Sequence, residues 1–467
     1  MSTTTLRTRS RASAVRNTAA PARGIFAGRR RPSPHPALPA SAPVPLVAEA
    51  DGERGIVIGR RISGERALPV VGRLVLLSQE RLCRHLLVCG ATGSGKTETL
   101  LRLGWTIAKG SDAPVWYLDG KGDSETAERF VALMADAGRE TRVFPNEPFD
   151  GWRGAPHQIH SRLMEIIDYA SEGPAAWYRD LAKTTVRLVC EHPEGPPRSS
   201  RAVLARMDHA LLTAAHPASS ALAALTPAQV AQVRLRYEAF FGQTRGALDG
   251  SWAWEDTSAG YVLLDSLTLS EEVGGLARFL FEDFAHFFTS RKPRDQFCLL
   301  IVDEFSSLAE SADMAARVEK ARGFHTGLVL APQVVEGMGG AEETARILGS
   351  VDTVIAHRVN TPDQIVALAG TRQIPKLTTR IAEDGVTRDR SFHTEHELKI
   401  DPNKVRGLDA GMAYLVNHGR AMKIQVLQAP DLRAPLPAPA GLASRDQLPA
   451  SVPFVGASSE KALDLPF

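Results

Sequence analysis

The stretch Gly90-Ala91-Thr92-Gly93-Ser94-Gly95-Lys96-Thr97 stands between an apolar run at residues 85–89 (HLLVC) and an amphipathic run at residues 98–108. It matches G-x-x-x-x-G-K-[ST] in the context its chemistry needs, a buried strand turning sharply into a helix. Glycines at 90, 93 and 95 let the backbone curl until its N–H groups converge on phosphate oxygens, with Thr92 and Ser94 completing the loop. The following helix N-terminus adds the positive end of its dipole. Lys96 is then placed to reach the β and γ phosphates of a nucleotide, and the Thr97 hydroxyl to ligate Mg²⁺.

Outward from this loop, short apolar runs alternate with longer amphipathic ones from Ile56 onward. That alternation predicts an α/β fold with a mainly parallel sheet. Strands are expected at 115–118, 141–144, 261–264, 297–302, 327–331 and 351–356, and helices at 124–137, 271–288, 305–322 and 342–348. Over residues 157–246 the pattern changes: Ala, Leu and Arg recur at helical spacing, broken at Pro193, Pro217 and Pro227. This reads as an all-helical insertion, a lid or second layer, within an α/β motor unit spanning 49–156 and 247–428.

A bound Mg²⁺ needs a second anchor. Cys298-Leu299-Leu300-Ile301-Val302-Asp303-Glu304 supplies one, an apolar strand ending in two adjacent carboxylates. Asp303 is the expected water-mediated metal ligand, and Glu304 the base that orients and deprotonates the water attacking the γ-phosphate. Asp119-Gly120-Lys121-Gly122 fits the D-x-x-G of GTPases, but the nearest N-K motif, Asn403-Lys404-Val405-Arg406, ends in Arg. An arginine cannot accept the N–H donors of guanine, so ATP is the expected nucleotide.

Composition bounds the remaining choices. A chain of 467 residues, 43% hydrophobic and 23% charged, is of ordinary globular type, which excludes a mini-protein and a wholly disordered one. Four cysteines without C-x-x-C pairing argue against a disulfide framework or structural zinc and predict reduced thiols. No run approaches the roughly 18 apolar residues of a membrane span, and no signal-peptide core is present, so a cytoplasmic location is expected. The formal net charge of +2 hides an uneven distribution, because residues 1–48 hold eight arginines and no acid. That arm is expected to be disordered. It reads either as a nucleic-acid-binding arm or as a solvated tail. An Arg-rich, acid-poor leader also fits an organellar transit peptide. Residues 429–467, rich in Pro, Ala and Ser, read as a second tail.

With these residues in view, GATGSGKT, the Leu118-Asp119-Gly120-Lys121-Gly122-Asp123 that ends the second strand, and LLIVDEF together resemble the VirD4/TraG/TraD coupling proteins of conjugation and type IV secretion, within the FtsK/HerA translocase superfamily. The resemblance covers roughly residues 84–370. It implies RecA-like motor domains in a hexameric ring, ATP held between subunits, and DNA in the pore, with relaxase or secretion-channel components as partners. By position it implies that Gln333, ending the stretch from Arg322 to Gln333, senses the γ-phosphate. It implies equally that Arg322 is a finger reaching into a neighbouring subunit, with Arg358 and Arg346 as rivals. The insertion takes the place of the family's all-α domain. Coupling proteins of this type usually begin with a membrane anchor, where this chain has a basic arm.

Smaller groupings carry less. His393 and His396, three apart in an extended stretch, would point to opposite faces, which suits a solvated hairpin better than a metal site. His157 and His160 have no third ligand nearby. Trp252 and Trp254 read as a core or subunit contact, with base stacking as the other option. The terminus Ala462-Leu463-Asp464-Leu465-Pro466-Phe467 resembles a sliding-clamp or single-strand-binding-protein docking peptide. Because all P-loop machines share this phosphate chemistry, a DNA translocase, an ATP-dependent switch or scaffold, and a secretion ATPase acting on protein all remain open.

Overall fold

The computed structural model describes residues 45–50, 53–63, 70–169, 173, 176–264, 270–306, 314–379 and 390–439. Nearly all of the basic arm, the C-terminal docking motif and the 307–313 part of the expected 305–322 helix lie outside these residues.

Strands β1 (Val47–Ala50), β2 (Glu53–Ser63) and β3 (Val70–Leu77) precede helix α1 (Gln79–Cys83) and strand β4 (Leu86–Cys89). The chain continues through α2 (Lys96–Gly110), β5 (Val115–Asp119), α3 (Ser124–Asp136) and β6 (Arg142–Phe144). Among the described residues six helices follow without an intervening strand: α4 (Pro156–Ile166), α5 (Ala176–Cys190), α6 (Ser200–Arg206), α7 (His209–Ala215), α8 (Ser220–Ala223) and α9 (Pro227–Thr244). Then come β7 (Ala259–Leu263), α10 (Ser270–Ser290), β8 (Cys298–Asp303), β9 (Thr326–Ala331), β10 (Thr353–Ala356), β11 (Thr371–Thr379), β12 (Arg390–Leu398), β13 (Met412–Asn417) and β14 (Arg420–Val426), with short helices between them.

One 12-stranded sheet runs β1-β2-β14-β13-β10-β4-β9-β8-β5-β7-β6, with β3 paired to β2. The stretch from β10 to β6 is parallel throughout, and the remaining pairings are antiparallel. Its central strands β4, β5, β8 and β9 are buried at every position because both faces are covered. Successive side chains sort into two cores. Val115 and Tyr117 of β5, with Leu299 and Ile301 of β8, pack under α2 and α3. Trp116 and Leu118, with Cys298, Leu300 and Val302, pack under α10 and the six-helix layer.

That second core is continuous from the sheet into the layer. It joins Trp116 to Phe149, Trp254, Phe284, Leu181 and Tyr237. Trp252 and Trp254 are both buried there, stacked edge-on 6.3 Å apart. The cysteines are free thiols, with Cys89, Cys190 and Cys298 buried and Cys83 partly so. Strands β11 and β12 form a separate two-stranded hairpin. On it Glu395 accepts from His393 at 3.0 Å and lies beside Lys376. No cluster able to hold a metal ion, and no helix long and apolar enough to cross a membrane, occurs among the described residues.

Candidate nucleotide site

The loop after β4 is the candidate phosphate cradle. Gly93 and Gly95 have φ of +74° and +103°, which an L side chain rarely adopts. Gly95 is also crowded, since a Cβ there would lie 2.9 Å from the Gly411 nitrogen, whereas one on Gly93 would meet nothing within 4 Å. A Cβ on Gly90 would strike Ser94 Oγ and His357 Cβ. Two backbone hydrogen bonds brace the loop from outside, Ala91 N–H to Arg358 O (2.8 Å) and Gly411 N–H to Ser94 O (3.0 Å), and one closes it from within, Ser94 N–H to Ala91 O (3.1 Å). The first helical bond of α2 runs from Thr99 N–H to Gly95 O, so the N–H groups of Lys96, Thr97 and Glu98 stand at its open end with the dipole behind them. Ser94 Oγ is buried with no hydrogen-bond partner among the described residues. An orphaned hydroxyl, a glycine with open space above it and unbonded N–H groups on one rim fit an anionic phosphate group.

Strand order brings the rest of the site to this rim. Strand β9 lies between β4 and β8, so the C-terminal ends of all three meet. Lys96 Nζ donates to Ala331 O at the end of β9 and lies 3.2 Å from Asp303 Oδ1 at the end of β8, both contacts being largely shielded from solvent. Asp303 Oδ2 accepts from Tyr117 Oη at 2.9 Å, and Asp303 Oδ1 from the Glu304 N–H at 2.9 Å. These donors hold its carboxylate in one orientation. Glu304 adopts φ +58°, a strained value for a non-glycine residue, and its carboxylate accepts from Gln333 Nε2 at 3.2 Å. Lys96, Asp303, Glu304 and Gln333 therefore form one connected cluster beside the loop. Thr97 sits on the first turn of α2 at the same rim.

Two further layers were not legible in the motifs. Tyr117 and Tyr261 are buried and stack 5.0 Å apart at 13°, the first donating to Asp303 and the second to Asp119 Oδ2 at 2.8 Å. Burial, with the neighbouring carboxylates, pushes both phenols well above their ordinary pKa, so they remain donors. Asp119 also accepts the N–H groups of Lys121 and Asp123, which fixes the Gly120–Gly122 turn. Its carboxyl is raised, chiefly by burial. The period of two that puts Tyr117 and Asp119 on one face of a strand was the available signal. His357, after β10, donates Nδ1–H to Met412 O (3.0 Å) and pairs through Nε2 with Thr99 Oγ1 (2.8 Å), fastening α2 to the start of β13.

Other candidates lie elsewhere. Arg322 is exposed and precedes β9, at the end of the sheet opposite Lys96 and Gln333. Arg346 is paired with Glu319. Arg358, partly buried, reaches the loop through its carbonyl. Asn403 Oδ1 accepts from Arg406, so that amide is used within its own short helix.

No family model matches the chain. Over 133 residues, 28% of its length, it is 26% identical to the type 4 coupling protein DotL of Legionella pneumophila, and it spans only 17% of that protein. The fold is shared more widely. The bacterial conjugative coupling protein TrwBdeltaN70, unbound, superposes with a TM-score of 0.62 at 16% identity, covering 84% of this chain and 98% of that one. TrwB in complex with ADP and Mg²⁺ gives 0.60 at 15%, with 84% and 98% covered. VirB4 of Thermoanaerobacter pseudethanolicus gives 0.54 at 13%, with 82% and 98% covered. The chain thus has the RecA-like P-loop fold of the conjugative coupling proteins, the group its motifs resemble.

Proposed function

We propose that this chain is an ATP-hydrolysing motor of the coupling-protein kind, which assembles as a ring and translocates DNA. The observation that carries this reading is the convergence of Lys96, Asp303, Glu304 and Gln333 on one rim, with the sensing amide hydrogen-bonded to the base. A catalytic carboxylate tied to a γ-phosphate sensor couples hydrolysis to the state of the nucleotide, which a motor needs.

In this reading the phosphates compete with Asp303 for the Lys96 ammonium and take the N–H groups of the loop. Thr97 and Asp303 would hold Mg²⁺, which when bound neutralises charge on the β and γ oxygens. Glu304 accepts a proton from the attacking water as the new O–P bond forms and the bond from the γ-phosphorus to the bridging oxygen breaks, leaving ADP and phosphate. Gln333 holds the Glu304 carboxylate and turns with it toward the γ-phosphate. Arg322 stands away from the phosphates of its own subunit, so its role falls on a neighbour's site, where a trans arginine contributes roughly 10³ to 10⁵ in rate.

The test is ATP turnover measured alone, with single-stranded DNA and with duplex DNA. Stimulation by either form is expected. Turnover indifferent to every DNA form would overturn the motor reading in favour of a switch.

A further inference from the structure

Helix α2 carries an acid where its phosphate-facing end begins. Glu98 stands in the first turn, directly after Lys96 and Thr97. A carboxylate there is favoured by the helix dipole, yet it repels nucleotide phosphates drawn to the same N–H groups. Arg129 of α3, 31 residues away in sequence, closes over it with both prongs of its guanidinium: Nη2 donates to Glu98 Oε2 at 3.0 Å and Nη1 to Glu98 Oε1. The Arg129 side chain is 14% exposed and that of Glu98 31%. A two-pronged pair shielded to this degree fixes the Glu98 side chain as well as neutralising it.

Arg129 is itself held in place by the chain beyond β14. Leu427 N–H donates to Ile58 O (2.9 Å), Ala429 is buried in the core under α2 and α3, and Leu436 packs against that core. Ala434 N–H donates to Glu128 O (3.3 Å), Asn146 Nδ2 donates to Pro437 O (2.7 Å), and Arg433 pairs with Glu125 in the first turn of α3. Asp431 Oδ1 lies 3.8 Å from Arg129 Nε. Residues 427–437 thus strap α3 to the sheet, and α3 in turn holds Glu98 through Arg129.

We infer that Arg129 is a positioning residue of the nucleotide site: it neutralises Glu98 and fixes the first turn of α2, so that the Thr97 hydroxyl and the N–H groups around it meet a nucleotide's phosphates and its Mg²⁺ without a competing carboxylate. The inference rests on the ATPase reading and adds to it a residue that none of the phosphate-site motifs contains. Arg129 acts through Glu98, not on the phosphates. A brace and a screen differ in what happens when both partners are removed. If Arg129 only joined α3 to α2, the double change would be no better than the worse single one. If it screens Glu98, removing the carboxylate as well removes the need for the screen.

The probe is the N-methylanthraniloyl derivative of ADP, titrated into the full chain with Mg²⁺ and followed by its fluorescence. Arg129→Gln should weaken binding by about 10- to 100-fold. Arg129→Lys, which keeps the charge, should recover most of the loss, and Arg129→Gln combined with Glu98→Gln should recover at least as much. Glu98→Gln alone should bind as tightly as the parent or more tightly. Equal affinity in the parent and Arg129→Gln, or a double variant no tighter than Arg129→Gln, overturns the inference, while binding by the parent leaves the ATPase reading standing. Should Arg129→Gln fail to fold, Glu98→Gln decides alone: affinity at or above the parent's supports the screen, and weaker binding overturns it. A parent that does not bind the probe removes the nucleotide site, and both readings fall together.

Discussion

Replacing His357 by glutamine should change the pH dependence of stability in a way that can be worked out from its contacts. The Met412 carbonyl can only accept, so Nδ1 carries the proton and Nε2 accepts from the Thr99 hydroxyl: the ring is held neutral. Burial pushes its pKa down from 6.5 to about 4, with the Lys96 charge adding to the depression. Between those values the unfolded chain binds a proton that the folded chain excludes. Stability is therefore fully present above pH 6.5 and is lost as pH falls toward 4, at about 1.36 kcal/mol per unit. At pH 4.5 the cost reaches about 2.5 kcal/mol. His357→Gln removes that cost but gives up about one hydrogen bond, or about 1 kcal/mol. The variant should be less stable than the parent by about 1 kcal/mol at pH 7 and more stable by about 1.5 kcal/mol at pH 4.5. His85, pushed down to about 4 by burial in the same way, titrates in both proteins and cancels in the difference. Urea unfolding of the two proteins at both pH values measures this directly. Stability curves that run parallel from pH 7 to pH 4.5 would refute the reasoning.

Lys96→Ala should abolish ATP binding or turnover, whereas Glu304→Gln should keep ATP bound and slow hydrolysis by about 10² to 10⁴. Parental turnover in Glu304→Gln would remove the base assignment. Tyr117→Phe keeps the stack on Tyr261 but deletes the 2.9 Å donor to Asp303, so unfolding free energy should fall by about 1.5 to 3 kcal/mol. An unchanged urea midpoint would show that the phenol does not support the carboxylate. Arg322→Ala subunits mixed with Lys96→Ala subunits should regain turnover, because the two defects then fall on opposite sides of an interface. No recovery in rings shown to be mixed would place the finger elsewhere.

The phosphate loop and the acid pair were legible because each is written in contiguous residues. Glycine spacing sets backbone dihedrals locally, and an apolar run ending in Asp303-Glu304 places its charges at a strand end whatever surrounds it. The alternation of apolar runs likewise announced strands buried on both faces, and the Ala/Leu-rich stretch its helices. Tertiary structure alone decided that β9 enters between β4 and β8, which is why Lys96, from one motif, touches Asp303 and Ala331 from two others. It also decided that His357 clasps Thr99 across 258 residues and that Tyr117 props Asp303 across 186. Among six tryptophans it left only Trp177 half in solvent. Propensity and periodicity report how a residue sits relative to its chain neighbours, whereas these contacts depend on which strand ends and helix faces are brought together when two apolar cores close on opposite sides of one sheet.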